Sequence, residues 1–147
     1  MSFVSDLKLG QYYEEKYIEK RGFGDYYHPK DIKFKDYDFK NNETGKTYEV
    51  KADKKTCDTG NLFIEIMCNG EDSGIYSTKA DYWVHFICKS KQEPYKSDYF
   101  YKIKVKELIP IVNKSGRYFK GAGDGNRVVG YLLNENYLKD YKHDYSI

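Results

Sequence analysis

An α/β fold, a central mixed sheet flanked by helices, is the class predicted for this 147-residue chain. Three observations predict it. Residues 6–21 carry apolar side chains at helical spacing, and several later segments show strand alternation or a continuous apolar run. The order helix, three or four strands, helix, strands contains no internal repeat and no linker at which the chain would divide. One domain over 1–147 follows, with its core over about 6–135 and a polar tail over 136–147.

Each element has a local reason. Asp6 or Ser5 can cap the first helix, Leu9, Tyr13 and Tyr17 with Tyr12 share one side, and Gly22 and Gly24 end it. Tyr26–Pro29 reads as a loop because Pro29 disfavours helix before it. Residues 31–35 alternate as a strand, and 38–51 read as two short strands joined by the Asn41–Gly45 turn. Residues 54–60 are a polar connection, 61–66 a mostly buried strand with Glu65 as its lone charge, and 69–74 a loop. A helix is expected over 75–82, a central strand over 82–88, a polar loop around Pro94 and an alternating strand over 99–105. Leu108, Ile109 and Val112 mark a short helix over 106–113 that Pro110 should confine to a first turn. A glycine-rich stretch over 116–125 and a last strand over 128–133 precede the tail.

Composition narrows the function classes. A third of the residues are charged and 39% hydrophobic, with no apolar run near the roughly 20 residues of a membrane span, so no membrane association is expected. The N-terminus lacks the basic and apolar blocks of a signal peptide, which predicts an intracellular protein that is not secreted. Cys57, Cys68 and Cys88 are too few and too scattered for a disulfide framework, and with His28, His85 and His143 they show no zinc-ligand spacing. The formal charge of +2 does not announce a nucleic-acid binder. Seventeen tyrosines point first to a core in which Tyr replaces Leu and Phe.

Chemistry concentrates in the hairpin. Side chains two apart on a strand share a face, so Glu49 and Lys51 project together while Tyr48, Val50 and Ala52 point the other way, and Asp38 opens the preceding strand. Two converging carboxylates make a site for a hard divalent cation, and a neighbouring ammonium can manage a proton or a phosphate oxygen. That combination suits metal-dependent phosphodiester cleavage. The acid-x-Lys tripeptide carries little weight alone, since Asp6/Lys8, Glu14/Lys16, Asp31/Lys33, Asp38/Lys40, Asp53/Lys55 and Asp140/Lys142 also satisfy it. Only Glu49/Lys51 sits in a strand-like apolar frame directly after a hairpin turn, where the alternative is an exposed face whose Glu and Lys simply pair.

Glu14 in the first helix, Asp38, and then Glu49-Val50-Lys51 together resemble the PD-(D/E)XK nuclease superfamily, although Tyr37 stands where its motif has proline. Thr59–Glu65, Ser73–Ile75, Thr78–Trp83 and Gly125–Leu132 are similar to segments of small phage and large-virus endonucleases of Holliday-junction-resolvase type. The resemblance spans about residues 6–135 and implies a restriction-endonuclease-like αβββαβ core and a viral protein acting in the host cytoplasm or nucleus. It makes Asp38 and Glu49 metal ligands with the Val50 carbonyl, Lys51 the catalytic lysine, and Glu14 a support for the metal or a bridging water. Asp36 and Glu15 remain alternatives to Asp38 and Glu14, and Glu65 stands either beside the site or paired with a lysine.

The activity implied is Mg²⁺-dependent endonucleolytic hydrolysis of DNA, with Mn²⁺ able to replace Mg²⁺, and small nucleases of this kind often act as homodimers. Lys54, Lys55 and Lys79 are candidates for backbone-phosphate contacts. Gly121–Gly125 does not follow the nucleotide-loop pattern and reads as a turn, and Trp83, Tyr82 and His85 read as core. The competing classes are a non-catalytic nucleic-acid binder on the same fold and a structural virion or assembly protein.

Overall fold

A computed structural model describes residues 3–31, 34, 36–89, 96–120 and 127–144, with the backbone alone for residues 3–7. The architecture is α/β, with a mixed sheet and a few helices. Helix α1 spans Phe3–Arg21. Strands β1 (Tyr26–Tyr27), β2 (Phe39–Asn41) and β3 (Thr47–Asp53) follow, then the one-turn helix α2 (Thr56–Thr59). Strands β4 (Asn61–Cys68) and β5 (Glu71–Asp72) lead through a 3-10 turn at Gly74–Tyr76 to β6 (Tyr82–Cys88) and β7 (Ser97–Lys104). Helix α3 (Val105–Ser115), β8 (Arg117–Lys120), β9 (Val128–Asn134), a 3-10 segment at Glu135–Tyr141 and β10 (Lys142–Asp144) complete the order.

The strands make two sheets rather than the single one expected. The first runs β1-β2-β3-β6-β7-β10 and is antiparallel except for the parallel β3–β6 pair at its centre. The second runs β5-β4-β9-β8 and is antiparallel throughout. Parallel strands need a crossover, and here it is the excursion through β4 and β5, which is long enough to build part of the second sheet.

Alternation along the strands assigns two cores. Tyr48, Val50, Val84, Phe86 and Phe100 face α1 and pack on its Leu9, Tyr13 and Tyr17, the helical stripe read from the sequence. Trp83, Ile87, Tyr101 and Ile103 face the other way onto Leu62, Ile64 and Leu133 of the second sheet and Leu108 and Val112 of α3. Tyrosine is a true core residue here: Tyr13 and Tyr17 are fully buried, and Phe39 stacks on Tyr48 at 5.1 Å.

Several local expectations are corrected. Helix α1 starts at Phe3, so neither Ser5 nor Asp6 caps it. Tyr26 and Tyr27 form an edge strand on β2 instead of a loop. The helix expected over 75–82 is only the turn at Gly74–Tyr76, because after the Thr78 N–H bonds the Gly74 carbonyl the Lys79 N–H donates to the Asp36 carbonyl instead of continuing a helical ladder. Helix α3 runs through Pro110, its sixth residue, and continues to Ser115. An interior proline costs about 3 kcal/mol, and the complete burial of Leu108 and Val112 on either side offsets it. The glycine-rich stretch contains strand β8, and residues 136–144 of the expected tail bury Leu138 and add β10 to the first sheet. Of the strand expected over 31–35, Asp31 and Phe34 are not in a strand and the remainder lies outside the described residues, as do Gly121–Gly125 and the loop around Pro94. No helix among the described residues is long and apolar enough to cross a membrane.

Gly74 anchors the turn that returns the chain to the first sheet. Its φ is +53°, and a Cβ there would overlap the Glu65 carbonyl. Gly74→Ala is expected to lower unfolding free energy by about 1–3 kcal/mol, read as a lower urea midpoint at unchanged slope; an unchanged midpoint would refute the role given to this glycine.

Candidate active site at the open edge of β3

The site lies where β2 and β3 part. Their pairing covers Phe39–Tyr48 and Lys40–Thr47, and Asp38 N–H still donates to the Tyr48 carbonyl at 2.8 Å. Beyond that point β2 no longer follows β3. The Val50 N–H that faces the vacated edge is taken by Asp38 Oδ2 at 2.7 Å. A strand residue presents its N–H and C=O to the same side, so the Val50 carbonyl opens onto the same edge.

A cavity of about 310 Å³ forms there, lined by Leu9, Gly10, Glu14, Asp38, Val50, Lys51, Ala52 and Lys54. Helix α1 supplies one wall and places Glu14 in it. Glu49 does not line the cavity itself, but its Oε2 lies 3.3 Å from Lys51 Nζ. Of the alternatives left open by the sequence, Glu14 and Asp38 line the cavity; Glu15 is exposed on the helix, and Asp36 contributes its main-chain carbonyl to Thr78 and Lys79. Glu65 is close enough to raise the Lys51 pKa. Lys54 lines the cavity, Lys55 is exposed ahead of α2, and Lys79 lines a different cavity.

The electrostatics are those of a site with too many carboxylates for its cations. Burial, reinforced by Glu49, pushes Glu14 up to about 7, with Lys51 pulling the other way. Burial, then Glu49 and Glu14, push Asp38 up to about 8 against the opposing pull of Lys51 and the Val50 N–H. For Lys51 burial works downward, but Glu49, Asp38 and Glu65 outweigh it, so its pKa is raised and the ammonium keeps its proton.

Two partners of these acids escaped the sequence reading. Thr78 Oγ1 lies 3.1 Å from Glu49 Oε1 and 3.2 Å from the Asp36 carbonyl, two acceptors that share its single proton, and so places the segment entering β6 against the Glu49 carboxylate. His28, just past β1, lies 2.7 Å from Glu14 Oε1 and is 42% exposed where Glu14 is 13% exposed, so it connects the buried acid to solvent. Neither could be found by spacing, because each comes from a segment with no periodic pattern.

Beneath the site, Lys51 Nζ sits 5.6 Å from the Trp83 ring, and Trp83 Nε1 donates to His85 Nδ1 at 3.1 Å. His85 Nε2 meets Asp53 Oδ2 at 3.0 Å, making His85 the satisfied core histidine expected. Burial alone would raise the Asp53 pKa, but its bonds from His85 and from the Lys55 and Phe63 N–H groups hold it well below the usual carboxylate range.

Whether the residues fit a metal ion turns on the donor set. Among the described residues no three or more His, Cys, Asp and Glu side chains converge tightly enough to hold one. An ion would therefore have at most two carboxylates, with oxygens of water and substrate filling its other places, the mode Mg²⁺ favours. The raised pKa values of Asp38 and Glu14 express an unmet demand for positive charge at that point, so the residues fit a hard cation.

No family model, no curated protein and no solved structure matches this chain.

The carboxyl shifts predict a pH dependence. A group whose pKa is raised by folding stabilises the fold fully below its ordinary value of about 4 and loses that contribution as pH rises through its folded value. Without divalent cations, unfolding free energy should fall between pH 5 and 8.5 as Glu14 and Asp38 ionise through about 7 and 8. Asp38→Asn, which keeps an oxygen for the Val50 N–H, should match wild type near pH 4 and exceed it at pH 8.5. Urea titrations in chelator give the answer; a flat wild-type profile would contradict the burial of these acids.

Proposed function

We propose that this chain is a Mg²⁺-dependent deoxyribonuclease that hydrolyses phosphodiester bonds at the β2–β3 cluster. One observation carries the reading: Asp38, Glu49 and Glu14 crowd around Lys51 at an open strand edge, next to a cavity that admits substrate. A restriction-endonuclease-like αβββαβ core is part of the same proposal. Helix α1 on one face of a mixed sheet, followed by a hairpin that carries the acids, supports it.

Asp38 and Glu49 would hold the ion, with the Val50 carbonyl facing the same edge. Bound there, Mg²⁺ would neutralise the scissile phosphate and lower the pKa of a water. Thr78 fixes one Glu49 oxygen and Lys51 approaches the other, so the carboxylate is oriented before any ligand arrives. Lys51, charged because of its acidic neighbours, suits offsetting the negative charge that grows on the phosphoryl oxygens better than it suits acting as a base. Without an ion, burial and then Glu49 push Glu14 up to about 7; a cation bound beside it would lower that value, and the His28 contact at 2.7 Å would link the carboxyl to solvent.

Linear, nicked, branched and single-stranded DNA incubated with the protein in Mg²⁺ tests the reading. Wild type is expected to cut at least one substrate, with Glu49→Ala and Lys51→Ala at least about 10²-fold slower. Thr78→Val, which leaves every charged group in place, should lose about 10- to 100-fold. Equal cleavage by wild type and Lys51→Ala would overturn the assignment. Binding without cleavage by wild type would favour a non-catalytic binder on this fold.

A further inference from the structure

A second cavity, of about 290 Å³, is lined by Lys46, Lys79, Ala80, Asp81, Tyr82, Lys104, Val105, Lys106 and Ile109. Four lysines reach it from four separate places: the turn before β3, the segment before β6, the end of β7 and the start of α3. All four are exposed, and among the described residues none of their ammoniums is engaged in an ion pair or hydrogen bond. The one carboxylate in the lining, Asp81, is already committed. Its Oδ2 accepts from Thr47 N–H at 2.9 Å and from Thr47 Oγ1 at 3.2 Å, while the Asp81 carbonyl accepts from Val105 N–H at 3.0 Å. Asp81 thus clamps three elements together, and the ammoniums are left facing the cavity.

Like charges gathered from distant parts of a chain repel one another and cost stability. Such a cluster has chemical purpose when an anion joins it. The Tyr82 ring is stacked on Tyr48 at 5.3 Å and lies under Lys102 Nζ at 4.6 Å, so the floor is not a free platform for a base. What the cavity offers is positive charge and space, the requirements of a phosphate.

Its position relates it to the acidic cluster. Thr78 holds Glu49, and the next residue, Lys79, lines this cavity. Lys46 precedes Glu49 by three residues along the β3 direction, about 10 Å at ~3.3 Å per residue. Phosphates along one strand are spaced more widely than the ~3.4 Å axial rise, so that distance is about one or two nucleotide steps.

We propose that the lysine-lined cavity between the starts of β3 and α3 binds a backbone phosphate of the nucleic-acid strand, close along that strand to the one held at the Asp38–Glu49 cluster. The assignment of the second phosphate rests on the nuclease reading, but binding at the lysines is measurable without catalysis.

Fluorescence anisotropy of a labelled DNA duplex, titrated in Mg²⁺ from 50 to 300 mM salt, tests the inference. Every protein in the comparison carries Lys51→Ala, so the duplex stays intact. Lys46→Gln/Lys104→Gln is expected to bind about tenfold more weakly and to lower the slope of log affinity against log salt by about one, uniformly across duplex sequences. Lys114→Gln/Lys139→Gln, which removes the same charge from exposed sites elsewhere, should change the slope by much less. Equal slopes for the two double variants would overturn the site, as would no binding by the Lys51→Ala parent. Cleavage assays on proteins with Lys51 restored report on the nuclease reading separately. A chain that binds through the four lysines but never cuts would sink that reading and leave the phosphate site standing.

Discussion

The hydrogen bond from Val50 N–H to Asp38 Oδ2 is the constraint on which the site depends. A strand edge in a folded protein exposes unpaired donors and acceptors, and a buried donor without a partner costs about 1–3 kcal/mol. Where β2 stops following β3, a side chain takes over the bonding that a third ladder residue would have supplied. That substitution fixes the Asp38 carboxylate against β3, beside Glu49 and Lys51. The same parting leaves the cavity that α1 then roofs. Pairing, vacancy and acid placement are one feature of the chain.

Around β3 stand two kinds of carboxylate with opposite fates. Asp53, at the far end of β3, meets two N–H groups through Oδ1, and Phe63 N–H and His85 through Oδ2. Its charge is answered in full, and it fastens the first sheet to β4 and α2. Asp38 and Glu14 are buried beside other acids, with one lysine among them, and their charged forms are disfavoured. Burial is common to both; what differs is the number of donors aimed at each oxygen. The first arrangement is structural because it is satisfied, and the second is suited to function because it is not.

How much of this the sequence discloses depends on the range of the forces involved. The helical stripe Leu9, Tyr13, Tyr17, the 38–51 hairpin and the apolar strand at Tyr82–Cys88 are legible because period, turn chemistry and burial agree locally. Strands β1 and β10 are not, since two- and three-residue strands have no period and exist only through distant partners such as Tyr26 on Asn41 or His143 on Phe100, and although β4 and β9 are each expected, their pairing into a separate sheet leaves no local mark. The false helix at 75–82 has the same origin: the Asp36 carbonyl, some 40 residues upstream, captures the Lys79 N–H that local propensity would have assigned to a helix. For the site, Glu49 and Lys51 follow from alternation along one strand. Thr78 and His28 arrive from elsewhere, and no spacing rule reaches them.

Placement of the acids against the basic cavity bears on how a charged ligand would approach. With Asp38 and Glu14 ionised and no cation bound, the three acids would repel a polyanion, since Lys51 is already engaged with Glu49. The lysines around Asp81 are linked to the acids through one short segment, since Thr78 contacts Glu49 and its neighbour Lys79 lines their cavity. Attraction at one end of β3 can therefore compensate repulsion farther along it. Charges separated by about 10 Å interact across roughly one Debye length at 0.1 M salt, so the two patches are distinct enough to hold opposite signs and near enough to act on one ligand. On the proposed function, an extended strand of phosphates is the ligand shape that satisfies both.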